Sequence, residues 1–206
     1  MIDLLSIDIA DLALMADLFE YPREEFAAAA QRAAREVGSP SARVHLSAFA
    51  RDIAELSPEL LEEAHVRTFL VAPASAPYVG VHLFGEESFK RAHLMAQLVG
   101  RFRAVGFDPG NELADHVAVL LRFAGHVDSE ELSDLVRWCL AVPITAMHGS
   151  LADTRSPYRH LLAALKETFA PEGIPETVRT SIAFAAATQD PAGCGGCSVQ
   201  HGGDEL

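Results

Sequence analysis

The chain has 206 residues, half of them hydrophobic, with 29 Asp and Glu against 16 Lys and Arg, a net charge of −13. That balance repels phosphate backbones, which hold proteins through Lys and Arg, so nucleic acid is not an expected partner. No apolar run nears the ~20 residues of a membrane-spanning helix, three cysteines make no disulfide framework, and Met1-Ile2-Asp3 lacks a secretory signal's basic start; a cytoplasmic protein, not integral to a membrane, is expected.

Helical periodicity recurs along the chain, and the fold class it predicts is all-α, a single bundle of nine to ten helices over residues 1–188. The first helix puts Ile9, Leu12, Met15, Leu18 and Phe19 on one face. Pro22 suits the first position of a second helix, with Glu24 and Glu25 in its opening turn and Gly38 at its end. A third places Leu46, Phe49, Ile53 and Leu56 together, and Ser57-Pro58 starts a fourth running to about Leu70. From Val71 to about Glu87 the pattern lapses into a Pro- and Gly-bearing loop, yet Tyr78, His82, Leu83 and Phe84 are too apolar for plain disorder.

The fifth helix shows a continuous stripe of Phe89, Ala92, Met95, Leu98, Val99, Phe102 and Val105, ending near Gly106. The sixth, roughly 111–126, turns Leu113, Val117, Leu120, Leu121 and Ala124 to one side; Asp115 and His116 fall off that stripe and should face solvent or a groove. Asp128-Ser129-Glu130-Glu131 resembles a capping box for a seventh, whose core face carries Leu132, Leu135, Val136, Cys139 and Leu140 and which Pro143 should kink or split. Ser156-Pro157 opens a helix to Phe169, and Ile174-Pro175-Glu176 opens the last, to about Thr188; residues 189–206 read as a loose tail.

Enzyme signatures are absent: no phosphate-binding glycine loop, dinucleotide fingerprint, nucleophile elbow or zincin helix. Glu62 and His65 form one Glu-x-x-His pair, and Glu112, Asp115 and His116 add carboxylates and an imidazole, but a di-iron bundle needs two such pairs and two further glutamates. In the tail, Cys194-Gly195-Gly196-Cys197 with His201 supplies three soft or borderline ligands, short of a structural zinc site's four. A metal or redox role there and a tail of simply reduced thiols both stay open.

Between about Glu62 and Ala124 several motifs in order resemble the TorD/NarJ family of molybdoenzyme assembly chaperones, closest to its NarJ-like branch. Glu63-Ala64-His65-Val66-Arg67-Thr68-Phe69 followed by Pro73 is similar to the family's Tyr-x-x-x-Phe segment, with His65 in the tyrosine's place. His82-Leu83-Phe84-Gly85-Glu86, then Arg91 and Met95, resembles the NarJ branch, as does Leu18-Phe19-Glu20-Tyr21-Pro22. Asn111-Glu112-Leu113-Ala114-Asp115-His116 looks like the second block, with Ala114 replacing a proline.

The resemblance implies a chaperone that is not an enzyme and has no cofactor of its own. Its implied partner is the catalytic subunit of a molybdenum oxidoreductase, held by an N-terminal or twin-arginine-type segment until the molybdopterin cofactor is inserted, with the insertion machinery as a further partner. Monomer and dimer both remain open, as does the client: nitrate reductase or a related enzyme. A client peptide is expected to lay its apolar face near Phe69, Leu83 and Phe84, with His65, His82 and Arg91 nearby. Glu86, Glu112 and Asp115 would give charge complementarity and His116 a polar anchor; alternatively, Asp115 and His116 stabilise a helix start. On the binding reading, Ala at 115 and 116 weakens client binding and leaves thermal unfolding nearly unchanged. A metal-binding or redox protein using Cys194, Cys197 and His201 is the competing class, and a helical adaptor without a link to molybdenum is a third.

Overall fold

A computed structural model describes residues 7–169. Among the described residues the chain is all-α, without a strand: α1 Ile9–Ala16, α2 Phe26–Glu36, α3 Pro40–Ala54, α4 Pro58–His65, α5 Val79–Phe84, α6 Phe89–Val105, α7 Val117–Phe123, α8 Ser129–Asp134, α9 Ala141–Ser150 and α10 Tyr158–Phe169. The predicted helix from Ile174, the boundary at 188/189 and the Cys194, Cys197 and His201 site lie outside the described residues.

Local chemistry sets most starts. Ser39, Ser57, Ser88 and Asp128 each cap a helix by accepting from a backbone N–H of the first turn, and Pro40 and Pro58 follow their serines where no N–H is needed. Gly106 ends α6 in the left-handed region at φ 71°, which a side chain would resist. Of the predicted capping box at Asp128 the N-cap half is present, its Oδ1 accepting from Glu130 N at 3.0 Å and Glu131 N at 2.9 Å, while the Glu131 carboxylate takes Arg101 instead.

The core forms where α3 packs between α2 and α10, with α10 also against α9 and α1 against α7. Leu12, Met15, Leu18, Leu46, Phe49, Leu161 and Leu165 are buried there, and each large apolar side chain so covered contributes about 1.5–3 kcal/mol. Phe49 meets Phe26 and Tyr158, and Tyr158 meets Phe69, so an aromatic line runs from the core toward α4.

Four sequence expectations are corrected. Pro22 does not open α2: Pro22 is buried, Arg23–Glu25 form a turn closed by Phe26 N on Arg23 O, and the helix begins at Phe26. The loop 71–87 contains a short helix, α5, seated on α9. In α6 only Leu98 and Phe102 are fully buried and Phe89 is 96% exposed, because it lies half a turn round the helix from Leu98. The segment 111–116 is not helical; α7 begins at Val117. Pro143 sits inside the first turn of α9, and the break falls just before it, where Leu135–Leu140 widen into a π-helical turn.

Candidate functional site

α4 carries its pattern inward through a second π-helical turn, Val66–Leu70, with Val71 N reaching back to Val66 O at 3.1 Å. The extra residue turns His65, Thr68 and Phe69 inward together. His65 is 3% exposed and lies edge-on to the rings of Tyr21, Phe69 and Tyr158. Its Nδ1 pairs with the buried Tyr158 hydroxyl at 3.2 Å. An imidazole thus fills an aromatic slot, and burial pushes its pKa down to about 4, so it is neutral at ordinary pH. Glu62 points elsewhere and accepts from the Tyr21 hydroxyl at 2.9 Å.

The second wall is built by two irregular segments that pair as an isolated antiparallel bridge, Tyr78 with His116. Val79 N donates to Asp115 O and Val117 N donates to Pro77 O, each at 2.8 Å. These bonds draw Asp115 and His116 out of solvent; Asp115 faces neither water nor the cleft, contrary to expectation, while His116 keeps an edge on the cleft. Asp115 is fully buried and takes a two-pronged contact from Arg91, Nε to Oδ2 at 2.8 Å and Nη2 to Oδ1 at 3.3 Å. Arg91 also donates to the Glu86 carbonyl and lies over the Tyr78 ring, its Cζ 5.4 Å from the centroid. Gly80 makes room for the pair: a Cβ there would sit 2.6 Å from Asp115 Oδ2 and 2.7 Å from Arg91 Cγ.

His116 caps α7, its Nδ1 accepting from Ala118 N at 3.2 Å, which leaves the proton of the neutral ring on Nε2. Burial lowers its pKa, against the pull of Glu112, Glu20 and Asp115. The helix-start reading thus describes the contact of His116, whereas the Asp115 side chain is held by Arg91 instead. The His116 ring still reaches a cavity edge-on to Tyr78, whose hydroxyl donates to Glu112 Oε1 at 3.3 Å.

Between the two walls lies a cleft of about 460 Å³. His65, Phe69 and His116 line it, with Glu20, Tyr21 and Arg122 on the α1–α2 side and Glu112 and Tyr78 opposite. Arg122 is already engaged, bonding Glu20 Oε1 at 2.8 Å and Asp17 Oδ1 at 3.1 Å. The mouth is both acidic and apolar, since Leu70, which lines the cleft, and Val71 beside it are 53% and 70% exposed.

The structure therefore brings together His65, Phe69, Glu112 and His116 of the predicted site. Leu83 and Phe84 lie half-buried on α5 and do not line the cleft, and His82 Nε2 donates to the Ala76 carbonyl at 2.8 Å, bracing the loop. Glu86 and Arg91 border a different, shallow hollow under Phe89. Glu20, Tyr21, Tyr78 and Arg122 were missed as site residues; Glu20-Tyr21 stood within a noted motif, but only tertiary packing shows it facing His65. Among the described residues no cluster of three or more His, Cys, Asp or Glu could hold a metal ion, and no helix is long and apolar enough to cross a membrane.

Compared with known families, residues 34–164 match the one described as the nitrate reductase delta subunit. The chain belongs to the nitrate reductase delta subunit family. This is a family of NarJ/TorD-type molybdoenzyme assembly chaperones rather than of catalysts, and its members partner with nitrate reductase-type molybdoenzyme subunits. No curated protein matches the chain. The matched residues span both walls of the cleft, from His65 on α4 to His116 at the start of α7, whereas Glu20 and Tyr21 precede them.

Proposed function

We propose that this delta-subunit relative binds the N-terminal segment of a molybdenum oxidoreductase's catalytic subunit in the cleft, and holds the apoenzyme until its molybdopterin cofactor is in place. The observation that carries the reading is the cleft itself: an aromatic floor of Phe69 and His65, edged by Tyr21, under the carboxylates of Glu20 and Glu112. An amphipathic segment places apolar side chains on such a floor and basic ones against the rim. The chain's net −13 draws basic segments from a distance. Glu112 supports this role because Tyr78 and Leu113 N both contact Oε1, leaving Oε2 without a protein donor among the described residues. A twin-arginine-type segment meets the same requirements.

Calorimetric titration with N-terminal peptides of the host's molybdoenzyme catalytic subunits, against scrambled controls, tests the proposal. Saturable binding to one peptide, weakened by Phe69→Ala and Glu112→Gln, is the expected result. Equal heats for native and scrambled sequences would refute it.

A further inference from the structure

Glu20 and Tyr21 stand between two hollows. On one side is the cleft; on the other is a second cavity of about 430 Å³, floored by Phe26 and Ala29 and bordered by Asp17 and Glu25. Both side chains line both hollows. They occupy non-helical positions between two buried anchors, Phe19 and Pro22, so the backbone is fixed at either end while the side chains project outward. Each outer end is held by one exposed polar latch: Glu20 Oε1 on Arg122 Nη1 at 2.8 Å, and the Tyr21 hydroxyl on Glu62 Oε2 at 2.9 Å.

We infer that Glu20 and Tyr21 form a side-chain gate, and that a client's amphipathic helical segment opens it to lie in one groove made by joining the two hollows. The inference rests on the peptide-binding reading above. The occupant follows from chemistry on both sides of the gate. Each hollow has an apolar floor, Phe69 with His65 in one and Phe26 with Ala29 in the other. Acids flank both, Glu112 in the cleft and Glu25 beyond it, where Arg23 also stands at the border and Asp17 is already held by Arg32 and Arg122. A single apolar stripe flanked by basic residues matches that order along its length; an extended polar strand does not. Swinging Tyr21 outward uncovers the edge of His65 without breaking a backbone hydrogen bond, because its ring touches His65 only side-on and its hydroxyl holds only Glu62.

The test uses the full chain and fluorescent synthetic peptides copying the N-terminal segments of the host's molybdoenzyme catalytic subunits. Tyr21→Phe and Glu62→Met each remove the latch, the first keeping the ring and the second the side-chain length. Because exposed pairs of this kind are weak, each variant should bind the peptide roughly two- to fivefold tighter, with faster association, and the double variant should gain no more than either alone. Parental affinity in both variants, or weaker binding in both, overturns the gate while leaving peptide binding intact. No binding by the parent or by any variant overturns the peptide-binding reading, and the gate with it.

Discussion

Replacing Asp115 with Ala removes a fully buried carboxylate and leaves Arg91, whose side chain is 13% exposed, facing the hole. Breaking a buried ion pair from one side costs about 3–5 kcal/mol, chiefly because the remaining charge loses its partner. Arg91 keeps its contact to the Glu86 carbonyl and some access to water, which puts the expected loss near the lower end, about 3 kcal/mol. For a chain of this size that lowers Tm by roughly 6–12 °C. The sequence alone pointed the other way, to an Asp115 facing solvent or a groove, where Ala at 115 and 116 together leaves thermal unfolding nearly unchanged. Urea unfolding of the parent, Asp115→Ala, Arg91→Met and the double variant closes a cycle. The double variant should be much less destabilised than the two singles added together, since neither charge is then orphaned. A loss below about 1 kcal/mol for Asp115→Ala, or strict additivity, would refute the claim that this pair ties α5 and α6 to the start of α7.

Gly80→Ala should destabilise by about 1–3 kcal/mol in the same assay, because its Cβ would collide with Asp115 Oδ2 and Arg91 Cγ. His65 makes stability pH-dependent. Its folded pKa lies near 4 and its unfolded value near 6.5, so between those values the unfolded chain binds the extra proton; stability is intact above 6.5 and falls as pH drops toward 4, by at most about 3 kcal/mol. His65→Phe should flatten that part of the pH profile while costing about 1–3 kcal/mol at neutral pH, since the Tyr158 hydroxyl is left buried and unpaired. Glu112→Gln should weaken peptide binding about three- to tenfold at low salt, and the difference should shrink as ionic strength rises; titration at two salt concentrations reads both.

Much of the frame could be read from the sequence because it rests on local rules. Ser57-Pro58 and Asp128 announce helix starts by chemistry confined to one turn, and Gly106 announces an end. The failures share a different cause. Asp115 and His116 look exposed by helical geometry, yet no helix forms there, because the backbone of Asp115 and Val117 pairs with Val79 and Pro77, dozens of residues earlier. Phe89 looks like core by hydrophobicity, yet α6 is anchored at Leu98 and Phe102, and the angle between them decides its face. The π-helical turns at Val66–Leu70 and Leu135–Leu140 shift the inward register by one residue, which no fixed period foresees.

The same contacts bear on where client choice resides. In the block Asn111–His116, which carries much of the family resemblance, Ala114, Asp115 and His116 are buried; Asp115 is held by Arg91, and His116 caps α7. Glu112 is the member of that block whose carboxylate lies exposed at the cleft. His65 and Phe69 are likewise buried among other rings and offer mainly an edge. The buried, internally satisfied half of the motif preserves the shape of a cleft but says little about what enters it, because those groups have few free donors or acceptors to discriminate with. On the proposed peptide-binding reading, discrimination between clients falls to side chains with exposed area at the mouth: Glu20, Tyr21, Leu70, Asn111 and Glu112. Three of these five lie outside that block, so on this reading two relatives that share the block closely need not hold the same catalytic subunit.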